Sequence, residues 1–167
     1  MPRVPFDQLP DHARLWIFGA DRPLSLDERR LLAESVENGL RGWSAHGSPV
    51  TWGHALHHER FLLLGVDEST TALSGCSIDG AVHEIQALER RLGQSLLDTA
   101  RVFYREGEGV RAVSRQRFRE LADAGAVSAE TVVYNNVIAT VGDLRRGAWE
   151  VPASRSWHAK AFPLRAE

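Results

Sequence analysis

Apolar residues recur along the chain with two different periods, and these predict alternating strands and helices. Leu15-Trp16-Ile17-Phe18-Gly19-Ala20 is apolar throughout, as expected of a strand covered on both faces. Asp21-Arg22-Pro23 turns the chain. Ser25 with Glu28 three residues on is a capping-box pattern opening a helix, whose buried stripe is Leu32, Val36, Leu40 and Trp43. His46-Gly47 is expected to close that helix, Gly47 as a left-handed cap and His46 where the helix dipole favours a cation. Residues 50–57 alternate, with Val50, Trp52, His54 and Leu56 on one face of a half-exposed strand. Phe61-Leu62-Leu63-Leu64-Gly65-Val66 does not alternate and predicts a second fully covered strand.

The strongest helical pattern follows. Ile78, Ala81, Val82, Ile85, Leu88 and Leu92 form one stripe, Ser74 or Ser77 can cap its start, and Gly93 ends it. At about 100° per residue, Asp79 and His83 fall opposite the stripe, and so does Cys76 if it is already helical. Further strands are expected at 100–105, 110–113 and 131–134, with short helices at 114–124 and 143–146. Residues 1–13, punctuated by Pro2, Pro5 and Pro10, read as an extended lead-in, and the aromatic tail around Trp149, Trp157 and His158 reads as a docked segment.

The first four strands and two helices run β-α-β-β-α-β. This predicts an α+β fold with a ferredoxin-like core over residues 14–105, an antiparallel sheet with the first and third strands central, and both helices on one face. Residues 106–167 are expected to form a C-terminal extension packed on that core within a single domain of residues 1–167. The extension, or a second copy in a homodimer, would cover the other sheet face. That face and the tail are also the surfaces expected to meet a protein partner.

Composition narrows the function classes. With 167 residues, 43% of them hydrophobic, the chain can bury a substantial core. No stretch reaches the roughly 18 apolar residues of a membrane span and no signal-peptide pattern opens the chain, so a cytoplasmic protein without membrane association is expected. One cysteine excludes an internal disulfide and any multi-cysteine metal centre, and no motif calls for a cofactor. Residues 1–100 carry 9 Arg against 14 Asp and Glu, and residues 101–167 carry 11 Lys and Arg against 8 Asp and Glu. That asymmetry is too mild for a nucleic-acid partner.

Candidate chemistry gathers where the predicted topology brings the end of the first helix, the end of the third strand and the start of the second helix to one sheet edge. His46, Asp67 and Cys76 meet there, with Asp79 on the next turn. A thiol beside an imidazole that a carboxylate orients is the arrangement that activates a nucleophile: Cys76 attacks, His46 takes the proton, and Asp67 or Asp79 orients the ring. The plain alternative makes Cys76 a small buried apolar residue and His46 a helix cap. His54, His57 and His58 do not predict a metal site, because in a strand His54 and His58 stand about 13 Å apart and His57 points to the other face. His158 and Trp157 are candidate ligand-binding residues covering a pocket, against the simpler reading of a packed aromatic tail.

Trp43-Ser44-Ala45-His46-Gly47, Ser74-Gly75-Cys76-Ser77-Ile78-Asp79 and Ser156-Trp157-His158, in this order, resemble the blocks of a family of uncharacterised small bacterial proteins, a likeness running over nearly the whole chain. Members are often labelled ABC transporter ATPases. The sequence gives that label no support, having no G-x-x-x-x-G-K-[ST] loop and a single lysine, Lys160. The resemblance implies no activity, substrate or cofactor, but its blocks contain His46, Cys76, Asp79 and His158. Two function classes follow: a non-catalytic binding or assembly module, and a thiol-dependent enzyme using Cys76 with His46 on a small molecule or acyl group.

Overall fold

A computed structural model describes residues 3–166 and shows an α+β protein. The described chain forms two compact units: one comprises the residues up to Leu97 together with Ala139–Gly142, the other Asp98–Ile138 and the residues from Asp143 onward. Among the described residues no helix is long and apolar enough to cross a membrane.

The first unit contains strand β1 (Arg14–Gly19), helix α1 (Leu26–Gly39), the short strands β2 (Ser44–Ala45) and β3 (Ser48–Pro49), strands β4 (Thr51–His57) and β5 (Phe61–Asp67), and helix α2 (Gly75–Leu92). Its main sheet has the order β1-β5-β4 with both pairs antiparallel. The unbroken apolar run of β5 takes the centre and is buried from Phe61 to Val66. Leu62, Leu64 and Val66 face the helices, joining Leu32 and Val36 of α1 and Ala81, Ile85, Leu88 and Leu92 of α2 in one core.

The opposite face is closed by the same unit. Gly53 and Gly65 stand across from each other in the β4–β5 ladder. A side chain at Gly53 would meet the Val4 carbonyl at 2.6 Å and the Phe6 Cα at 3.3 Å, while one at Gly65 would run into Leu9, Phe6 and Val141. Two strand glycines thus open a trough in which the lead-in lies, Phe6–Gln8 forming a 3₁₀ turn and Val4 donating its N–H to Trp52 O at 2.8 Å.

The helix ends obey their punctuation in three cases of four. Ser25 and Glu28 form the expected capping box on α1, Ser74 and Ser77 form one on α2, and Gly93 ends α2 in the left-handed conformation at φ 62°. The end of α1 departs from expectation. It stops at Gly39, seven residues before His46, and Gly42 at φ 74° turns the chain so that Trp43 enters the core from a loop rather than from the helix.

The second unit contains β6 (Arg101–Glu106), β7 (Gly109–Ser114), α3 (Arg115–Asp123) and β8 (Val132–Tyr134). Helix α4 (Val141–Arg145) begins in the first unit's Ala139–Gly142, and β9 (Glu150–Pro152) and α5 (His158–Ala161) complete the second. The second unit's sheet has the order β7-β6-β8-β9, all antiparallel. The fourth strand of the expected ferredoxin-like sheet is therefore in a different sheet. Two facts account for this, one local and one not. A two-residue turn folds β6 onto its sequence neighbour β7, and the free edge of β1 is taken by Ala139 and Thr140, with Leu15 donating its N–H to Ala139 O at 2.9 Å. Val102, Tyr104, Phe118, Ala122, Val133 and Phe162 form the second core.

Candidate functional site

An open cavity of about 410 Å³ in the first unit separates the chain from Gly39 to His46 from the first three turns of α2. Its helix wall is Cys76, Gly80 and Glu84, three residues spaced by four and so aligned along one ridge. Gly80 leaves a gap in that ridge, since a Cβ there would meet nothing within 4 Å. The other wall carries Arg41, Trp43, Ser44 and His46.

Trp43 ties the two walls together. Its indole is buried, and its Nε1–H donates to the Ser77 carbonyl at 2.9 Å. Ser77 is itself fixed, its N–H donating to Ser74 Oγ at 3.1 Å and its Oγ–H to Ser74 O at 2.8 Å. With the third N–H of α2 capped by Ser74, those of Gly75 and Cys76 remain without helical partners and give this end of the cavity a partial positive charge. Cys76, the second residue of the helix, is an exposed free thiol.

His46 reaches the cavity by a route the periodicity does not predict. It is not a helix cap but the first central residue of the two-residue turn joining β2 to β3, with Ala45 opposite Ser48. His46 has φ 52° and Gly47 φ 77°, and two successive residues at positive φ are what a primed hairpin turn requires. Arg41 adds a cation, its Nη2 donating to Asn38 Oδ1 at 2.8 Å. Glu84 supplies the opposite charge, its carboxylate lying against the space a Gly39 side chain would fill.

The cavity therefore brings together Cys76 and His46 but neither expected carboxylate. Asp67 accepts from the Ser69 N–H at 3.0 Å and pairs with His12 Nε2 at 3.2 Å. Its carboxyl is held below the usual range, first by the Ser69 side chain, with further help from the Ser69 backbone and His12. Asp79 is exposed on α2 and is not part of the cavity wall. His54 is stacked on Trp52 and bonded to Glu37 Oε1 at 3.1 Å.

His158 and Trp157 lie in the second unit. The imidazole is wholly enclosed, stacked on Trp157 at 3.9 Å and packed among Phe118 and Phe162, while Trp157 is half-buried. Sequence reasoning missed Glu84, Arg41 and the indole of Trp43. The Cys76-x-x-x-Gly80-x-x-x-Glu84 spacing was the available signal for the first; nothing local pointed to the others.

Chemically, the site presents a thiol, an imidazole, a guanidinium and unpaired amide N–H groups near one carboxylate, around a space sized for a small molecule. No family model, no curated protein and no solved structure matches the chain.

Proposed function

We propose that the protein is a binding module for a small polar molecule, taken up between Gly39–His46 and the start of α2. The observation that carries this reading is the cavity itself, lined by Cys76, Gly80 and Glu84 on one side and Arg41 and His46 on the other, with the Trp43 indole tying the two walls together. A ligand with an anionic or carbonyl oxygen suits the helix start and Arg41, and a donor group suits Glu84.

The test is a fragment library screened by NMR, with the Trp43 indole N–H as reporter. Fragments should shift that signal in the wild type and lose the effect in Gly80→Leu, whose side chain fills the gap at an exposed helix position. Fragments that bind without moving the indole signal, or that bind Gly80→Leu equally, would defeat the reading.

A second reading, thiol-dependent acyl transfer, is favoured by the presence of Cys76 and His46 on one cavity. In it His46 takes the thiol proton, the sulfur forms a bond to the acyl carbon, and the leaving group departs with that proton before water releases the acyl group. An activated ester such as p-nitrophenyl acetate should then acylate Cys76 and turn over in the wild type, with His46→Asn slowing the reaction and Cys76→Ser abolishing it. Equal turnover in the wild type and His46→Asn would remove this reading and leave the binding module intact.

A further inference from the structure

The second unit contains a titratable side chain that the cavity does not explain. The His158 ring is fully buried. Its Nδ1 shares a hydrogen bond with Ser156 Oγ, which also accepts the His158 N–H at 3.2 Å, and its Nε2 is buried without a partner. A neutral ring fits this setting when Nδ1–H donates to Ser156 and Nε2 keeps a bare lone pair. A second proton would create a buried N–H with nothing to receive it.

The charged groups around the ring are no help to an imidazolium. From α3, Arg115 lies over the Trp157 ring at 5.0 Å and Arg119 over Phe162 at 5.6 Å. Arg155 just before the segment 156–165, and Lys160 and Arg165 on it, are all exposed cations. From β6 comes the neutral phenol Tyr104, which packs on Phe118. The segment's other ties do not titrate: Phe162 is buried in the second core against Phe118 at 4.8 Å, Trp157, Ala161 and Leu164 pack on that core, and Arg165 O accepts from Ala129 N at 2.8 Å. No strand of the β7-β6-β8-β9 sheet includes a residue of this segment, so its release leaves the ladder hydrogen bonds in place.

We propose that residues 156–165 form an acid-released latch, docked on the second core while His158 is neutral and expelled when its imidazole takes up a second proton. The direction follows from linkage. Burial, with Arg115 adding to it, lowers the docked ring from the ordinary 6.5 to about 4. The released ring regains its ordinary affinity, so release grows as pH falls below about 6.5 and levels off below about 4. The released-to-docked ratio can rise by up to about 300-fold over that window.

Hydrogen exchange of the full-length protein, followed by mass spectrometry from pH 7.5 to 4 with times scaled to the intrinsic rate, tests the latch. Protection of residues 156–165 should fall by as much as about 300-fold, while β6 and β7 stay protected. In His158→Phe and His158→Leu the drop should vanish. A flat wild-type profile, an equal drop in either variant, or simultaneous loss of β6 protection would overturn the proposal. Should neither variant fold, the His158 ring signal decides in the wild type. A ring that titrates near 6.5 while its segment stays protected overturns the latch; one that resists protonation until protection is lost supports it.

Discussion

The Nε1–H of Trp43 donates to the backbone carbonyl of Ser77, 34 residues away, across 2.9 Å of buried space. This bond fixes a loop of the α1–β2 connection against the first turn of α2, which is where both walls of the cavity originate. Trp43→Phe keeps an aromatic ring but removes the donor and part of the volume. Together these should destabilise the protein by about 1–3 kcal/mol in urea unfolding, and fragments bound by the wild type should bind more weakly. Unchanged stability would mean that the indole does not anchor the loop.

Two glycines offer a sharper contrast, because what each one faces differs in kind. At Gly53 the obstacle is backbone, the Val4 carbonyl at 2.6 Å and the Phe6 Cα at 3.3 Å, and neither can move without lifting the lead-in off the sheet. Gly53→Ala should cost about 1–3 kcal/mol and loosen residues 3–9 in hydrogen exchange. At Gly39 the obstacle is the end of the flexible Glu84 side chain, which can swing aside. Gly39→Ala should be neutral, or stabilising by up to about 1 kcal/mol through helix propensity. Equal losses for the two substitutions would contradict this account.

Those glycines also show what was legible in the sequence. A glycine inside a strand pattern signals close approach, and both Gly53 and Gly65 carry that signal, but the pattern does not say which segment approaches. The caps at Ser25, Ser74 and Gly93 were readable because capping is settled within four residues. The partner of β6 was not, since its alternation satisfies either sheet. The choice fell to the adjacent β7 and to Ala139–Thr140 occupying the β1 edge, and the second of these is non-local. His46 and Cys76 line one cavity, His46 from a hairpin turn instead of the expected helix end and without the expected carboxylates, in a unit whose sheet order differs from the one that predicts the pairing.

The hairpin turn allows the imidazole to be removed with little disturbance. His46 at φ 52° and Gly47 at φ 77° both occupy the left-handed region, where asparagine is at home and alanine is not. His46→Asn should therefore match or slightly exceed the wild type in thermal stability, while Gly47→Ala should lose about 1 kcal/mol. The pair separates loss of the side chain from loss of the turn. A His46→Asn protein that unfolds several degrees early would show that the ring packs rather than projects into the cavity.

At the start of α1 a single carboxylate serves two donors. Glu28 accepts from Arg22 through both oxygens, at 2.8 and 2.9 Å, and its Oε1 also accepts the Ser25 N–H at 3.0 Å. The Arg22 hydrogen bonds, then that of the Ser25 backbone, bring the Glu28 carboxyl down to about 2 from the ordinary 4.5. The folded state thus holds its proton more weakly than the unfolded chain does. The contribution is complete above about 4.5 and fades as the pH falls toward about 2. Carbon-detected NMR should find Glu28 among the last carboxylates to titrate, and Arg22→Ala should return it most of the way to the ordinary range. Ser25→Ala removes only the side-chain half of the capping box and leaves the Ser25 N–H in place, so it should move the titration much less while weakening the helix start by about 1 kcal/mol. A Glu28 that titrates normally in the wild type would show that the fork with Arg22 does not persist in solution.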